Sequence, residues 1–231
     1  MSKTYQDKDT DAVARFYAQA AAADDAREED PEREADLDEV ADGLAQLVEG
    51  QTVLELACGS GRWTEALAES AAHVLALDIN EAMLAQARAR ELPADLVTWR
   101  QADALNLPAD LLSGLPPGVE PVKTVFIGFW WSHLTRAAQE HLLAALRARV
   151  GKDVQLVLLD DDQVEGTSPP IARTDAQGNT YQLVNGADGE RFELPKGYPT
   201  DSALRKRLGN AAREIRIARW ESCWVLTCRL K

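Results

Sequence analysis

The run Val53-Leu54-Glu55-Leu56-Ala57-Cys58-Gly59-Ser60-Gly61-Arg62-Trp63-Thr64 joins an apolar stretch to a small-residue turn that opens a helix. Such a junction can cradle a nucleotide. Gly59 and Gly61 leave no side chain between backbone and ligand, and the first N–H groups of the following helix have no partner within it, so they face whatever anionic group lies over them. A second apolar run, His73–Asp78, ends in a carboxylate 19 residues past Gly59, close to the roughly 20-residue spacing at which an acid accepts from ribose hydroxyls. The G-x-G-x-x-G pattern of dinucleotide sites fails in both frames, meeting Arg62 when started at Ala57 and Thr64 when started at Gly59.

Holding that turn at a sheet edge requires alternating elements. Strands at 52–57, 73–78, 96–100, 122–129 and 153–160 interleave with helices at 61–70, 80–91 and 135–149, which predicts an α/β fold with a parallel sheet covered on both faces. Upstream, Asp9 or Thr10 can cap a leading helix through Val13, Phe16, Tyr17 and Ala20. After the charged stretch 24–34, a second helix carries Leu37, Val40, Leu44 and Leu47 on one face, and Gly50 ends it. Prolines and glycines make 105–121 a connection. At 163–198 the alternation breaks, and segments 180–184 and 190–194 flank Asn185-Gly186-Ala187-Asp188-Gly189, a β-hairpin signal. A helix at 201–209 and strands at 214–218 and 222–229 follow. The expected organisation is one domain over 1–231, with 1–50 a helical cap and 163–198 an inserted hairpin on the substrate side.

The stretch Glu55-Leu56-Ala57-Cys58-Gly59-Ser60-Gly61 resembles motif I of the class I S-adenosylmethionine-dependent methyltransferases, an acidic residue followed by small residues around G-x-G. Asp78-Ile79-Asn80-Glu81-Ala82-Met83 resembles the family's ribose-binding acid and next helix start. Arg100-Gln101-Ala102-Asp103-Ala104 resembles the turn after strand three, where an acidic side chain accepts from the adenine amino group. The resemblance implies a three-layer Rossmann-like methyltransferase fold, with a mostly parallel seven-stranded sheet and an antiparallel terminal strand, here carrying the inserted hairpin. It also implies an enzyme that uses S-adenosyl-L-methionine and releases S-adenosyl-L-homocysteine. Glu55, Ala57, Cys58, Gly59 and Gly61 would hold the methionine part, Asp78 the ribose, and Asp103 with Ala104 the adenine, with Ile79 and Met83 packing on the ring. Phe129 borders the same ligand, and Tyr17 reaches over it from the leading helix. Ala57 stands where many members carry Gly, which Ala can replace if its φ is negative.

Methyl transfer from a sulfonium is an in-line displacement, so the protein must align the acceptor, exclude water and, for a poorly acidic acceptor, supply a base. The loop after strand four borders the methyl group in this architecture. Within Phe129-Trp130-Trp131-Ser132-His133 the base candidate is His133, because an imidazole of ordinary pKa, about 6.5, accepts protons near neutrality, and the aromatics can wall a flat substrate. The structural alternative makes the tryptophans packing and His133 a polar residue before a helix capped by Thr135. The acidic run 160–162 could attract an amine, and Tyr181, Arg191 and Tyr198 are candidate acceptor contacts by location; Cys58, His73 and His141 read as structural.

A net charge of −13 repels phosphodiester backbones, so nucleic acid is not an expected partner. Three cysteines without C-x-x-C or Cys/His ligand spacing exclude a metal site of that kind and suit reducing surroundings. No apolar run nears the 18 or more residues of a membrane span, and the polar N-terminal segment has no leader pattern, so a cytoplasmic location is expected, with no membrane partner. The oligomeric state is left open. The expected function is transfer of a methyl group to O or N of a small-molecule acceptor. Methylation of protein or RNA is the alternative a basic face would revive. A NAD-type oxidoreductase is disfavoured by the missing third glycine and would lack an antiparallel final strand pair, and a catalytically silent cofactor-binding protein is the remaining alternative.

Overall fold

The computed structural model describes residues 4–22 and 31–231. Residues 1–3 and 23–30, which include most of the charged stretch and part of the expected cap, lie outside the described residues. Five strands run parallel: β1 (Thr52–Leu56), β2 (His73–Asp78), β3 (Val97–Gln101), β4 (Val122–Gly128) and β5 (Gln155–Asp161). A two-residue β6 (Arg173–Thr174), β7 (Thr180–Asn185) and β8 (Arg191–Pro195) form a separate antiparallel sheet before β9 (Ala212–Arg219) and β10 (Cys223–Leu230) close the chain. The large sheet has the order β3-β2-β1-β4-β5-β10-β9, with β10 antiparallel to both neighbours. This is a Rossmann-like methyltransferase fold, with the seven strands and the antiparallel terminal pair that the sequence led us to expect.

The helices are α1 (Lys8–Ala22), α2 (Pro31–Val48), α3 (Arg62–Ala68), α4 (Glu81–Arg88), α5 (Arg136–Val150) and α6 (Asp201–Leu208). Every residue of β1 and β2 is buried, because helices cover both faces of the sheet. On one face Leu54, Leu75 and Leu158 meet Leu142 and Leu146 of α5. On the other, Val53, Val74 and Phe126 meet Leu37, Val40 and Leu44 of α2. Each such fully buried aliphatic side chain contributes about 2 kcal/mol. The chain moves outward from β1 to β3 and then returns to place β4 beside β1. That reversal opens a crevice at the carboxyl ends of the strands.

α1 lies over this crevice, with Val13 packed on Phe192 and Leu194 of β8. Its start differs from expectation. The Asp7 carboxylate accepts from the Asp9 N–H at 3.0 Å, so Asp7, and not Asp9 or Thr10, caps the helix. Pro31 opens α2 within the charged stretch, since proline lacks only an N–H that the first turn cannot use. The expected hairpin is present as β7 and β8, and β6 adds a third strand too short to show a two-residue period. Among the described residues no helix is long and apolar enough to cross a membrane.

Candidate functional site

Between β1 and α3 the chain takes positive φ three times within five residues, at Ala57 (54°), Gly59 (56°) and Gly61 (80°). The negative φ expected of Ala57 is therefore corrected. The turn closes through Cys58 N–H to the Leu77 carbonyl at 2.9 Å and Gly61 N–H to the Cys58 carbonyl at 3.0 Å, and this closure holds Ala57 in the left-handed region at a cost of about 1 kcal/mol. The two glycines serve different ends. A Cβ on Gly61 would sit 3.0 Å from both Ala87 Cβ and a Trp99 ring carbon, whereas a Cβ on Gly59 would meet no described atom within 4 Å. Gly61 is a packing position, and Gly59 faces open space.

That space is a cleft of about 1100 Å³. Tyr17, Glu55, Ala57, Cys58, Gly59, Asp78, Ile79, Met83, Asp103, Ala104 and Phe129 all line it; of the expected ligand contacts, Gly61 is the exception. Asp78 is 7% exposed and ties the turn together, its Oδ2 accepting from Gly59 N–H at 2.9 Å and its Oδ1 from Asn80 N–H at 2.8 Å. Burial raises its pKa above the usual carboxylate range. Each carboxylate oxygen has a second lone pair, so Asp78 can accept further bonds from a ligand. Asp103 likewise accepts from Leu105 N–H at 2.8 Å and Asn106 Nδ2 at 2.6 Å. Glu55 is 2% exposed and accepts from Thr64 Oγ1 at 2.5 Å. Burial, with the nearby Asp78 charge and despite the Thr64 hydroxyl, pushes its pKa up to about 8. Ile79 is an exposed aliphatic on the cleft wall beside Met83. The Cys58 thiol is pushed far up by burial, so it stays protonated and inert.

His133 is not where the loop argument put it. Among the described residues, Tyr17 and Trp130 line the cleft and His133 does not. The imidazole is buried behind Tyr17, its Nε2 3.1 Å from the Tyr17 hydroxyl and its Nδ1 2.8 Å from the Pro195 carbonyl oxygen. The acidic run divides into three environments. Asp160 is buried and accepts from the Ser132 N–H and hydroxyl, both at 2.7 Å; Asp161 lines the cleft and accepts from Arg33 at 2.8 Å; Asp162 pairs with Arg219. Tyr181 is occupied by Asp9 and Asp175, while Arg191 and Tyr198 do not line the cleft, so none of the three is placed as an acceptor contact. His73 and His141 are structural, bonded to Asp95 and Thr98 and to Leu105 respectively.

Two residues had no local signal. Arg33 lines the cleft with its guanidinium 5.4 Å from the Phe129 ring centroid. Lys196, just past β8, buries its ammonium against Asp161 Oδ2 at 2.6 Å, Ser132 Oγ at 2.9 Å and Asp160 Oδ1 at 3.4 Å. Its burial alone would lower the pKa, and Asp160 and Asp161 more than offset that, so the ammonium stays charged. Among the described residues no cluster of His, Cys, Asp and Glu could hold a metal ion.

Residues 53–153, the segment that builds β1 to the approach of β5, match the family model of a methyltransferase domain. That segment is similar to a methyltransferase domain. Over 63 residues it is 46% identical to demethylmenaquinone methyltransferase of Clavibacter sepedonicus. That match spans 27% of this chain and 26% of the relative, about a quarter of each. The methyltransferase fold extends beyond the matched segment. A structure of DhpI in complex with SAH is similar over 98% of both chains, with a TM-score of 0.71 at 23% identity. The glycopeptide N-methyltransferase MtfA, complexed with S-adenosyl-L-methionine, is similar over 84% of this chain and 86% of its own, with a TM-score of 0.58 at 21% identity. These two likenesses speak to the fold of the domain.

Proposed function

We propose that this chain is an enzyme that binds S-adenosyl-L-methionine in the cleft and transfers its methyl group to O or N of a small-molecule acceptor, releasing S-adenosyl-L-homocysteine. One observation carries the reading: Gly59 and Asp78, bonded to each other, lie together on one cleft wall with open space over the glycine. The residues fit the cofactor. Open backbone at Ala57, Cys58 and Gly59 with Glu55 suits the methionine part, Asp78 the ribose, Asp103 and Ala104 the adenine amino edge, and the exposed Ile79 with Met83 the ring face. Gly61 supports the turn from behind. Bound there, the cofactor supplies an electrophilic methyl group on a cationic sulfur, which the surplus of carboxylates favours.

The protein's own work is alignment and exclusion of water. Tyr17, Phe129 and Trp130 wall the acceptor end, and His133 stands behind Tyr17, 3.1 Å from its hydroxyl. A cleft of about 1100 Å³ exceeds the few hundred Å³ that one small ligand fills, leaving room for an acceptor beside the cofactor. We read 1–231 as one domain in which the described parts of the 1–50 cap and the 163–198 insertion roof this side, with Asn185 and Ala187 on the cleft. A roofed site suits a small acceptor better than a folded macromolecule, and the acceptors named by demethylmenaquinone and glycopeptide methyltransferases accord with this. The antiparallel β9–β10 pair speaks against the oxidoreductase alternative. Incubation with methyl-labelled S-adenosyl-L-methionine and a fractionated cell extract tests the reading. Label should enter the small-molecule fraction, and label confined to protein or RNA would overturn the acceptor class.

A further inference from the structure

The Pro195 carbonyl can only accept a hydrogen bond, so the His133 Nδ1 at 2.8 Å must carry a proton. In the neutral ring that leaves the lone pair on Nε2. The Tyr17 hydroxyl, 3.1 Å away, is then the donor to Nε2, and its ring is the member of the pair that lines the cleft. Three consecutive residues of the insertion hold this arrangement. Pro195 sets the imidazole, the Lys196 ammonium meets Ser132 Oγ at 2.9 Å, and Gly197 N–H donates to the Ser132 carbonyl at 3.1 Å.

Building on the methyltransferase reading, we propose that Tyr17 is the group that takes the proton of the methyl acceptor, that His133 takes the proton of Tyr17, and that the 195–197 segment positions the pair. The acceptor O–H or N–H proton passes to the Tyr17 oxygen as the Tyr17 proton passes to Nε2. The electron pair freed on the acceptor forms the new bond to the methyl carbon, and the pair of the broken S–C bond stays on sulfur. His133 ends the step as an imidazolium whose two N–H groups face the Pro195 carbonyl and the Tyr17 oxygen, and it later returns one proton to water. His133 then acts through Tyr17 and never touches the acceptor, and Tyr17 changes from a cofactor contact to a proton carrier.

The test has a spectroscopic arm and a kinetic arm. Imidazole 15N NMR of the wild type, with His133 assigned by the resonance lost in His133→Asn, should show Nδ1 protonated and Nε2 bare, and Tyr17→Phe should shift the Nε2 signal. An Nε2-protonated tautomer, or an Nε2 signal indifferent to Tyr17→Phe, overturns the proposal. In the labelled-extract assay, Tyr17→Phe should slow transfer at least a hundredfold, the lower end of what a general base contributes, while S-adenosyl-L-homocysteine affinity stays within threefold. A variant that keeps its rate overturns the relay and leaves the cofactor reading intact. A wild type that binds no S-adenosyl-L-homocysteine overturns both.

Discussion

Replacing Glu55 with Gln should flatten the dependence of stability on pH. The carboxyl group is 2% exposed, and burial raises its pKa from 4.5 to about 8. A raised carboxyl pKa means that the folded state holds a proton the unfolded chain has released. Its contribution to stability is therefore complete below about pH 4.5 and is lost as pH climbs through about 8. At 1.36 kcal/mol per pKa unit, the shift of three to four units corresponds to about 5 kcal/mol over the whole window and about 3 to 4 kcal/mol between roughly pH 5 and 8. Gln has the volume of Glu, keeps a carbonyl oxygen for the Thr64 hydroxyl and does not titrate. Urea unfolding of both proteins at several pH values isolates the effect. The wild type should lose about 3 to 4 kcal/mol more than Glu55→Gln across that range, a large part of a typical domain's stability. Parallel profiles, within about 0.5 kcal/mol, would show that burial does not hold Glu55 protonated. A ligand cation brought against Glu55 would draw the carboxylate form back, so ligand binding in this window should release a proton.

Three further substitutions probe the scaffold. Ala57→Gly relieves a left-handed alanine at φ 54°, a gain of about 1 to 2 kcal/mol set against about 0.4 to 1 kcal/mol of unfolded-state entropy, so denaturant unfolding should find it neutral to about 1.5 kcal/mol more stable. Gly61→Ala adds a Cβ 3.0 Å from Ala87 and Trp99 at φ 80°, and the strain and overpacking together should cost about 2 to 5 kcal/mol, read as a lowered Tm. Lys196→Met leaves Asp160 buried beside Asp161 without its cation, a loss of about 3 to 5 kcal/mol near pH 8 that should shrink toward pH 5 as Asp160, already raised by burial, takes a proton. Equal losses at both pH values would mean that charge plays no part.

The parts of the site legible in the sequence are those whose chemistry and position come from one contiguous stretch. The β1 turn announces itself because a strand, small residues and a helix follow one another directly, and Asp78 and Asp103 each stand at the end of a strand or in the turn just after it. The sign of φ at Ala57 is set instead by closure of Cys58 onto Leu77, a residue of another strand, so no reading of residue 57 alone supplies it. His133 shows the same limit at longer range. Its loop was recognisable, but its direction is decided by Pro195, 62 residues away, and its partner by Tyr17, 116 residues away. Lys196 sits at the end of a strand beside a proline with nothing periodic to mark it, and only the packing of the insertion on β5 gives it two carboxylates to neutralise. Seven strands in one sheet were inferable from alternation and resemblance, whereas the two-residue β6 exists only because β7 offers it an edge.

Calorimetric titration of S-adenosyl-L-homocysteine into the wild-type protein and into Asp78→Ala tests the cofactor site most directly. One site per chain is expected, with affinity lost or reduced at least tenfold in the variant, which gives up charge-assisted bonds worth about 1.5 to 3 kcal/mol each together with the anchor of Gly59. No heat with the wild type, or equal affinity in the two proteins, would contradict the account.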